Sequence, residues 1–176
     1  MGTLVQRFCV VVMAVFAIAT MAAPSLAQTA SEPPTLGPET NLPLPRFVSL
    51  KASESNVRRG PSLSHRIDWV FKRRNMPLQV VAEYGHWRRV IDRVGLGGGV
   101  LYTMLSGART VLVFGVTTAL RARPEQDALE NAMLEPGVIA RLGRCTPDWC
   151  RLTAGGYRGW APKSVLWGVS ESEIRD

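Results

Sequence analysis

The sequence contains few of the side chains from which catalytic and metal sites are built. It has two histidines, His65 and His86, and three cysteines among 176 residues. A zinc site takes three or four clustered ligands, and no such cluster is recognisable around either histidine. A Ser-His-Asp site assembles from distant parts of a chain, but small domains without elaborated loops rarely contain one. We therefore expect no enzyme, no metal and no cofactor, with an enzyme of unrecognised site as the alternative.

The N-terminal apolar run is too short to be a typical membrane span. Residues 8–23 are apolar except for Thr20, a run of 16 residues, whereas a spanning helix takes about 20. Arg7 precedes the run, and the small residues Ser25 and Ala27 occupy the two positions that a signal peptidase reads. These features predict a signal peptide, residues 1–27, cleaved after Ala27. The mature protein is then periplasmic or secreted, with no stable membrane insertion.

The predicted mature chain is basic. Removal of 27 of the 176 residues leaves 149, and Arg7 is the one charged residue removed, so 20 basic and 14 acidic side chains remain, a net charge of +6. Such a protein can meet anionic wall polymers, lipid headgroups or nucleic acid. Export argues against nucleic acid as a partner, and a solvated basic surface without any partner stays open.

Cleavage also removes Cys9 and leaves two cysteines. Cys145 and Cys150 flank a Thr-Pro-Asp-Trp segment that favours a turn. An even pair in an exported chain predicts a disulfide, placed near the base of a hairpin. The spacing is not the Cys-x-x-Cys of oxidoreductases, so the bond is interpreted as structural.

The body of the chain has the pattern of a β-protein. Residues 28–45 contain five prolines, which block helix and ladder hydrogen bonds, and we predict an extended, mobile linker there. From Phe47 onward, short runs rich in β-branched and aromatic residues alternate with Gly or Pro turns. This spacing indicates a small barrel or sandwich.

The pattern then begins again about sixty residues later. Three pairs of segments recur at offsets of 63, 62 and 61: residues 56–61 with 119–124, Trp87 with Trp149, and residues 98–107 with 159–168. We predict two β-units, residues 46–107 and 108–170, followed by a tail, residues 171–176. In this register residues 123–135 are interpreted as a long loop rather than a helix.

The order of these motifs resembles the bacterial SH3-like domain family. The family pattern runs from a basic strand with a Gly or Pro turn, through a Trp that opens a central strand, to Gly-Trp-Val and a closing Leu. The matching residues are Leu120, Arg121, Pro124, Pro136-Gly137-Val138, Trp149, Gly159-Trp160-Ala161 and Leu166 in the second unit, and Val57, Arg58, Gly60-Pro61, Trp87, Val100 and Leu105 in the first. Doubled, this order is similar to the exported, tandem type. The resemblance implies an all-β chain of two small SH3-like β-barrels in tandem.

The resemblance also implies a function. It favours a non-catalytic exported binding module that engages cell-wall peptidoglycan, through its peptide or glycan, or an envelope protein. Two alternatives stay open: a cell-wall hydrolase or other envelope enzyme, and a structural subunit whose task is to pair with another protein.

The first unit departs from the family pattern at one position. Gly99 lies where the second unit has Trp160, within the glycine-rich residues 95–99. Loss of a buried Trp-sized group costs on the order of 3–5 kcal/mol unless the space is refilled. Either Tyr102 or another group fills the space, or the unit is loose there.

The tryptophans divide into expected core residues and one candidate ligand contact. Trp87, Trp149 and Trp160 hold repeated or family positions and are expected in the core. Trp69 has no counterpart in the second unit and is expected in an exposed basic loop, residues 66–74. The candidate ligand-binding residues are Trp69, Arg66, Arg73 and Arg74, with burial of Trp69 over the barrel end as the alternative.

Overall fold

The computed structural model describes residues 35–176, whose regular secondary structure is almost entirely β. The predicted signal peptide and residues 28–34 of the predicted linker lie outside the described residues. Strands in the described part are β1 (Thr35–Leu36), β2 (Pro43–Leu44), β3 (Arg46–Leu50), β4 (Ser55–Arg58), β5 (Ile67–Phe71), β6 (Pro77–Tyr84), β7 (Trp87–Ile91), β8 (Gly97–Leu101), β9 (Leu105–Ser106), β10 (Thr110–Val113), β11 (Thr118–Arg121), β12 (Glu130–Leu134), β13 (Ile139–Cys145), β14 (Trp149–Ala154), β15 (Tyr157–Pro162) and β16 (Leu166–Trp167). Two single-turn 3-10 helices, Tyr102–Met104 and Lys163–Val165, precede β9 and β16.

Strands β1 and β2 form a small two-stranded sheet, and the other fourteen strands form two larger sheets of the same topology. Strands β3 to β9 make a seven-stranded antiparallel sheet in the order β5-β4-β8-β7-β6-β3-β9, here called repeat 1. Strands β10 to β16 make a second sheet, repeat 2, in the order β12-β11-β15-β14-β13-β10-β16. Each strand of repeat 2 takes the place of the strand seven positions earlier in the chain. The prediction of an all-β chain with two tandem SH3-like units is confirmed, although the two sheets are not closed into barrels.

Each repeat buries its own apolar core through an alternation of inward and outward residues that bulges interrupt on β6 and β13. In repeat 1, Val80, Val90 and Val100 are fully buried on β6, β7 and β8. In repeat 2, Leu152 and Ala161 are fully buried on β14 and β15. Complete burial of a valine or leucine side chain contributes about 1.5–3 kcal/mol, so the phase of this alternation fixes which face of each strand is outward.

This alternation places three tryptophans outside the core in which they were expected. Trp87, Trp149 and Trp160 are half-buried and belong to neither buried cluster. On β14, Cys150 and Leu152 face the core, so Trp149 faces outward. The prediction that these tryptophans form the core was wrong, because they follow the phase opposite to that of the buried residues.

Two predictions about loops were also wrong. Residues 123–135 are not a long loop throughout, because residues 130–134 form β12, which pairs with β11 as β5 pairs with β4. Trp69 does not lie in a loop: it is on β5, paired with Val57. Its position in repeat 2 is occupied by Ala132, paired with Leu120, which agrees with the expected absence of a counterpart tryptophan.

The predicted mobile linker is partly an ordered hairpin. Strands β1 and β2 pair antiparallel, and the turn between them is hydrogen bonded to the Glu83 carboxylate of β6. That carboxylate accepts the backbone N–H groups of Glu39 and Thr40 at 3.1 and 3.0 Å and the Thr40 hydroxyl at 2.8 Å. A Cβ on Gly37 would lie 2.4 Å from Glu83 Oε2, so the turn packs directly over the carboxylate. For residues 35–44 the linker prediction was therefore wrong.

The Glu83 carboxylate is held ionised by its surroundings. Its side chain is fully buried and pairs with Arg46 and with Arg88, the latter at 3.4 Å. Burial by itself raises the pKa of Glu83, but the hydrogen bonds from Arg46, Thr40 and the N–H of Glu39 outweigh it and lower the pKa to about 2. The hairpin is thus fixed to repeat 1 by a buried charge.

The predicted disulfide is confirmed, and it has a counterpart in repeat 1. Cys145 and Cys150 are bonded and lie directly opposite each other on β13 and β14. At the same cross-strand position of repeat 1, Glu83 lies opposite Arg88 on β6 and β7. One repeat therefore links these strands by a covalent bond and the other by a buried ion pair.

Reduction of the disulfide is expected to destabilise repeat 2 modestly. A loop this short loses about 2 kcal/mol of chain-entropy stabilisation when it is opened. The measurement is urea denaturation with and without reductant, and a Cys145→Ser/Cys150→Ser variant that is insensitive to reductant is the control. An unchanged midpoint for the reduced wild-type protein would contradict the expectation.

The two repeats also contact each other. The Thr110 hydroxyl of repeat 2 donates to the Asn75 carbonyl at 2.7 Å and lies 2.7 Å from the Ser49 hydroxyl of repeat 1. The ring of Phe47 meets that of Trp167 edge-on, with centroids 5.2 Å apart. These buried polar and aromatic contacts are of the kind that fix a unique packing between elements.

Candidate functional site

A pocket of about 360 Å³ opens on the outer face of repeat 1. Its floor is the glycine run of β8, residues 97–99, and aromatic side chains of Tyr84 and Trp87 line it. Arg59 and Asp68 line one side and Arg89 lies on the neighbouring strand β7. The pocket combines an open backbone floor, aromatic surface and cations.

The pocket exists because β8 carries no side chains in this region. Gly99 lies opposite Arg58 in the sheet, as Trp160 lies opposite Arg121 in repeat 2. The register therefore confirms that Gly99 replaces the tryptophan. A Cβ on Gly99 would come within 2.9 Å of the Gly60 carbonyl oxygen, so the loop after β4 packs against the space that a side chain would need.

Tyr102 does not refill the space. Its side chain is 48 % exposed, and its ring lies against His86, with centroids 5.7 Å apart, and beneath the Arg88 guanidinium at 5.8 Å. The expectation that Tyr102 could fill the space of the missing tryptophan was wrong. The space is partly taken by the Gly60 loop, and the rest is the pocket.

The charges around the pocket leave a cationic surplus. Asp68 accepts hydrogen bonds from Arg59 at 3.1 Å and from Arg66 at 2.8 Å. The hydrogen bonds from Arg59, and then those from Arg66, lower the pKa of Asp68, so this carboxylate is ionised and already shared by two guanidinium groups. Arg89 is exposed and forms no ion pair within residues 35–176. Its guanidinium is available to an anionic group bound in the pocket.

The four residues predicted from sequence as ligand contacts do not form one cluster around the pocket. Trp69 is 46 % exposed at the edge of the sheet, on the face of β5 opposite to that of Asp68. Arg66 reaches the pocket indirectly, through its ion pair with Asp68. Arg73 donates to the carbonyl of Gly137 in repeat 2 at 2.8 Å, and Arg74 is exposed in the turn before β6. A ligand-binding role for these four residues stays a prediction.

Sequence reasoning missed the pocket although its signals were visible. The glycine run departs from the family pattern, and sequence alone indicates a packing defect there rather than a recess. Trp87 and Arg89 are two residues apart and therefore lie on the same face of a strand. This spacing is the sequence signal for the outward surface that borders the pocket.

Two units of this topology define a tandem of SH3-like domains. The model of the bacterial SH3 domain family matches residues 51–107 and 115–168. The chain therefore belongs to the bacterial SH3 domain family, with one match in each repeat.

Comparison with solved structures gives more distant similarities. The structures of NlpC2 and NlpC1 from Trichomonas vaginalis each share 9 % sequence identity with this chain at a TM-score of 0.33. The matches cover 70 % and 74 % of this chain, and 48 % of each of those chains. Comparison with curated proteins gives no significant match.

Two features are absent from residues 35–176. In this part of the chain, no helix has the length and apolar character needed to cross a membrane. Within the same residues, no group of three or more His, Cys, Asp or Glu side chains is placed to hold a metal ion.

Proposed function

We propose that this protein is an exported, non-catalytic binding module for the cell wall, and that repeat 1 holds peptidoglycan through the pocket floored by residues 97–99. The observation that carries the proposal is that repeat 1 has a glycine, Gly99, at the position where repeat 2 has Trp160. The space that an indole fills in repeat 2 is divided in repeat 1 between the Gly60 loop and the pocket. Membership of the bacterial SH3 domain family supports wall binding as the general role, and the predicted signal peptide supports a periplasmic location.

The chemistry of the pocket suits a peptidoglycan fragment. A glycine floor lets a ligand chain approach the protein backbone closely. Peptidoglycan peptides carry free carboxylates, which Arg89 can bind through two parallel hydrogen bonds. The indole of Trp87 provides a flat apolar surface for a sugar face or an alkyl side chain. Each part of the proposed ligand thus has a complementary group in the pocket.

A second candidate function follows from the exposed edge of repeat 1. Among residues 35–176, strand β5 is the first in its sheet order and pairs with β4 alone, and its side chains Ile67, Trp69 and Val70 are exposed. An exposed strand edge can add a strand from another protein. This observation favours an envelope protein as partner, which is the function expected of a structural subunit.

Arg89→Gln is expected to weaken binding to purified peptidoglycan sacculi at least about tenfold, because loss of one charge-assisted hydrogen-bonded pair costs about 1.5–3 kcal/mol. The measurement is co-sedimentation of the protein with sacculi over a range of sacculus concentrations. Arg74→Gln removes the same charge at an exposed site away from the pocket and is the matched control.

The same assay separates the candidate sites. Trp69→Ala and Arg74→Gln test the surface predicted from sequence. Loss of binding in those variants, with Arg89→Gln unaffected, would contradict the pocket and favour that surface. No binding of wild-type protein to sacculi would contradict the wall-binding proposal and leave the edge of β5 as the candidate.

A further inference from the structure

The outer face of repeat 2 carries a cluster of arginines at the place where repeat 1 has its pocket. Arg141 on β13 lies opposite Thr153 on β14, which lies opposite Arg158 on β15. In the next row Arg151 lies opposite Trp160. All three arginines are exposed, and the neighbouring positions Ala140, Leu142, Leu152 and Ala161 face the core.

The three arginines occupy neighbouring positions on the sheet. Residues directly opposite on antiparallel strands have Cβ atoms about 5 Å apart, and diagonal neighbours about 7–8 Å. Arg151 is diagonal to both Arg141 and Arg158, and Thr153 separates the other two. Like charges at these distances repel each other weakly through solvent, and a bound anion would relieve that repulsion.

Nothing in the described chain neutralises this cluster. Strands β13, β14 and β15 contain no Asp or Glu, and none of the three arginines forms an ion pair within residues 35–176. Other arginines of the repeats do have carboxylate partners in the same structure, among them Arg59, Arg109 and Arg121. Exposed arginines elsewhere also lack a carboxylate partner, Arg89 among them, so the particular feature of this face is that three such arginines occupy neighbouring positions.

The fold does not require the cluster. The equivalent positions of repeat 1 are occupied by Gln79 for Arg141, Gly97 for Arg158 and Gly99 for Trp160. The sheet of repeat 1 nevertheless has the same strand order as the sheet of repeat 2. Only Arg151 is matched by an arginine, Arg89. The two repeats thus present different surfaces at one place: a recess in repeat 1, and a cationic face with a half-buried indole in repeat 2.

We infer that this arginine face, formed by Arg141, Arg151, Arg158 and Trp160, binds an anionic polysaccharide. The arginines bind carboxylates of successive sugars, and Trp160 offers its ring to a sugar face between them. A membrane surface fits less well, because the indole of Trp160 is half-buried and does not protrude for insertion into lipid. The inference is independent of the pocket in repeat 1 and uses none of its residues.

The experiment measures binding of the full mature chain to polygalacturonate, a polymer with one carboxylate on each sugar. Neutral dextran, phosphatidylglycerol vesicles and a single-stranded DNA oligonucleotide are the comparison probes. Wild-type protein is expected to bind polygalacturonate, to lose affinity as salt is raised, and to bind dextran not at all. The triple variant Arg141→Gln/Arg151→Gln/Arg158→Gln is expected to bind at least about tenfold more weakly.

Two further variants make the result specific. Lys51→Gln/Lys72→Gln/Arg93→Gln removes three exposed charges elsewhere and should bind polygalacturonate within about twofold of wild type. Thr153→Glu places a carboxylate between Arg141 and Arg158, so it should weaken binding while leaving the melting temperature unchanged or raised. Because this variant relieves repulsion, loss of binding in it does not arise from unfolding.

Three results would overturn the inference. Equal losses in the two triple variants would mean that net charge alone attracts the polymer. Undiminished binding by the arginine triple or by Thr153→Glu would place the polymer elsewhere. Tighter binding of vesicles or DNA than of polygalacturonate through the same arginines would assign the face to a different class of partner.

Discussion

Replacing Glu83 by glutamine is expected to lower the free energy of unfolding by about 3–5 kcal/mol, the cost of removing one member of a buried ion pair. The carboxylate accepts hydrogen bonds from the β1–β2 turn and pairs with Arg46 and Arg88. A glutamine amide turns an NH2 group toward these donors and leaves two guanidinium groups uncompensated. The measurement is urea denaturation followed by tryptophan fluorescence at pH 7.

The same residue predicts how stability depends on pH. Because the folded-state pKa of Glu83 is lowered to about 2 from an ordinary value of 4.5, its contribution is present above pH 4.5. It is lost as the pH falls toward 2, and amounts to about 3 kcal/mol. Glu173 and Asp68 have lowered pKa values as well, so their contributions fall in the same direction. Glu83→Gln should remove the largest part of this acid dependence.

The control for both measurements is an exposed ion pair. Glu130 pairs with Arg121 at 3.1 Å and is half exposed, so Glu130→Gln should change the unfolding free energy by no more than about 1 kcal/mol. Equal effects of Glu83→Gln and Glu130→Gln would show that the buried carboxylate does not hold the hairpin to repeat 1.

The second large effect concerns the pocket. Trp87→Ala/Arg89→Gln is expected to weaken binding of a soluble disaccharide-peptide fragment of peptidoglycan about 100-fold. Loss of an aromatic anchor and loss of a charge-assisted contact each cost on the order of 1.5–2 kcal/mol or more, and 1.4 kcal/mol corresponds to a factor of ten. Calorimetric titration gives the affinity directly.

This variant should remain folded. Trp87 is half-buried outside the core cluster, and Arg89 is exposed, so the melting temperature should fall far less than in a core variant such as Val90→Ala. The matched control is Trp69→Ala/Arg74→Gln, which removes the same types of side chain from the other candidate surface. Equal affinity of the pocket variant and wild type would exclude the pocket as the ligand site.

The architecture can be predicted from the sequence because the same order of motifs occurs twice in the chain. The offsets of 63, 62 and 61 agree with the sheet register: Arg58 and Arg121 lie opposite Gly99 and Trp160, and Trp87 and Trp149 open equivalent strands. The disulfide follows for a similar reason, since two cysteines that straddle a turn occupy opposed positions on its strands.

Features that depend on strand phase and on distant contacts are harder to predict. A tryptophan that recurs in both repeats can lie on the surface of both, so its recurrence does not show that it is buried. The burial of Cys150 and Leu152 shows that Trp149 faces outward. Glu83 binds a turn more than 40 residues earlier in the chain, in a proline-rich segment whose composition favours a flexible linker. The pocket depends on how closely the Gly60 loop approaches Gly99, a distance that no sequence spacing defines.

The most direct measurement of the central claim is a chemical-shift titration of 15N-labelled mature protein with the disaccharide-peptide fragment. The proposed site predicts that the largest shifts fall on the amides of residues 97–99, on Arg89 and on the indole N–H of Trp87. Shifts confined to Arg66, Trp69, Arg73 and Arg74, or no shifts at saturating fragment, would contradict it.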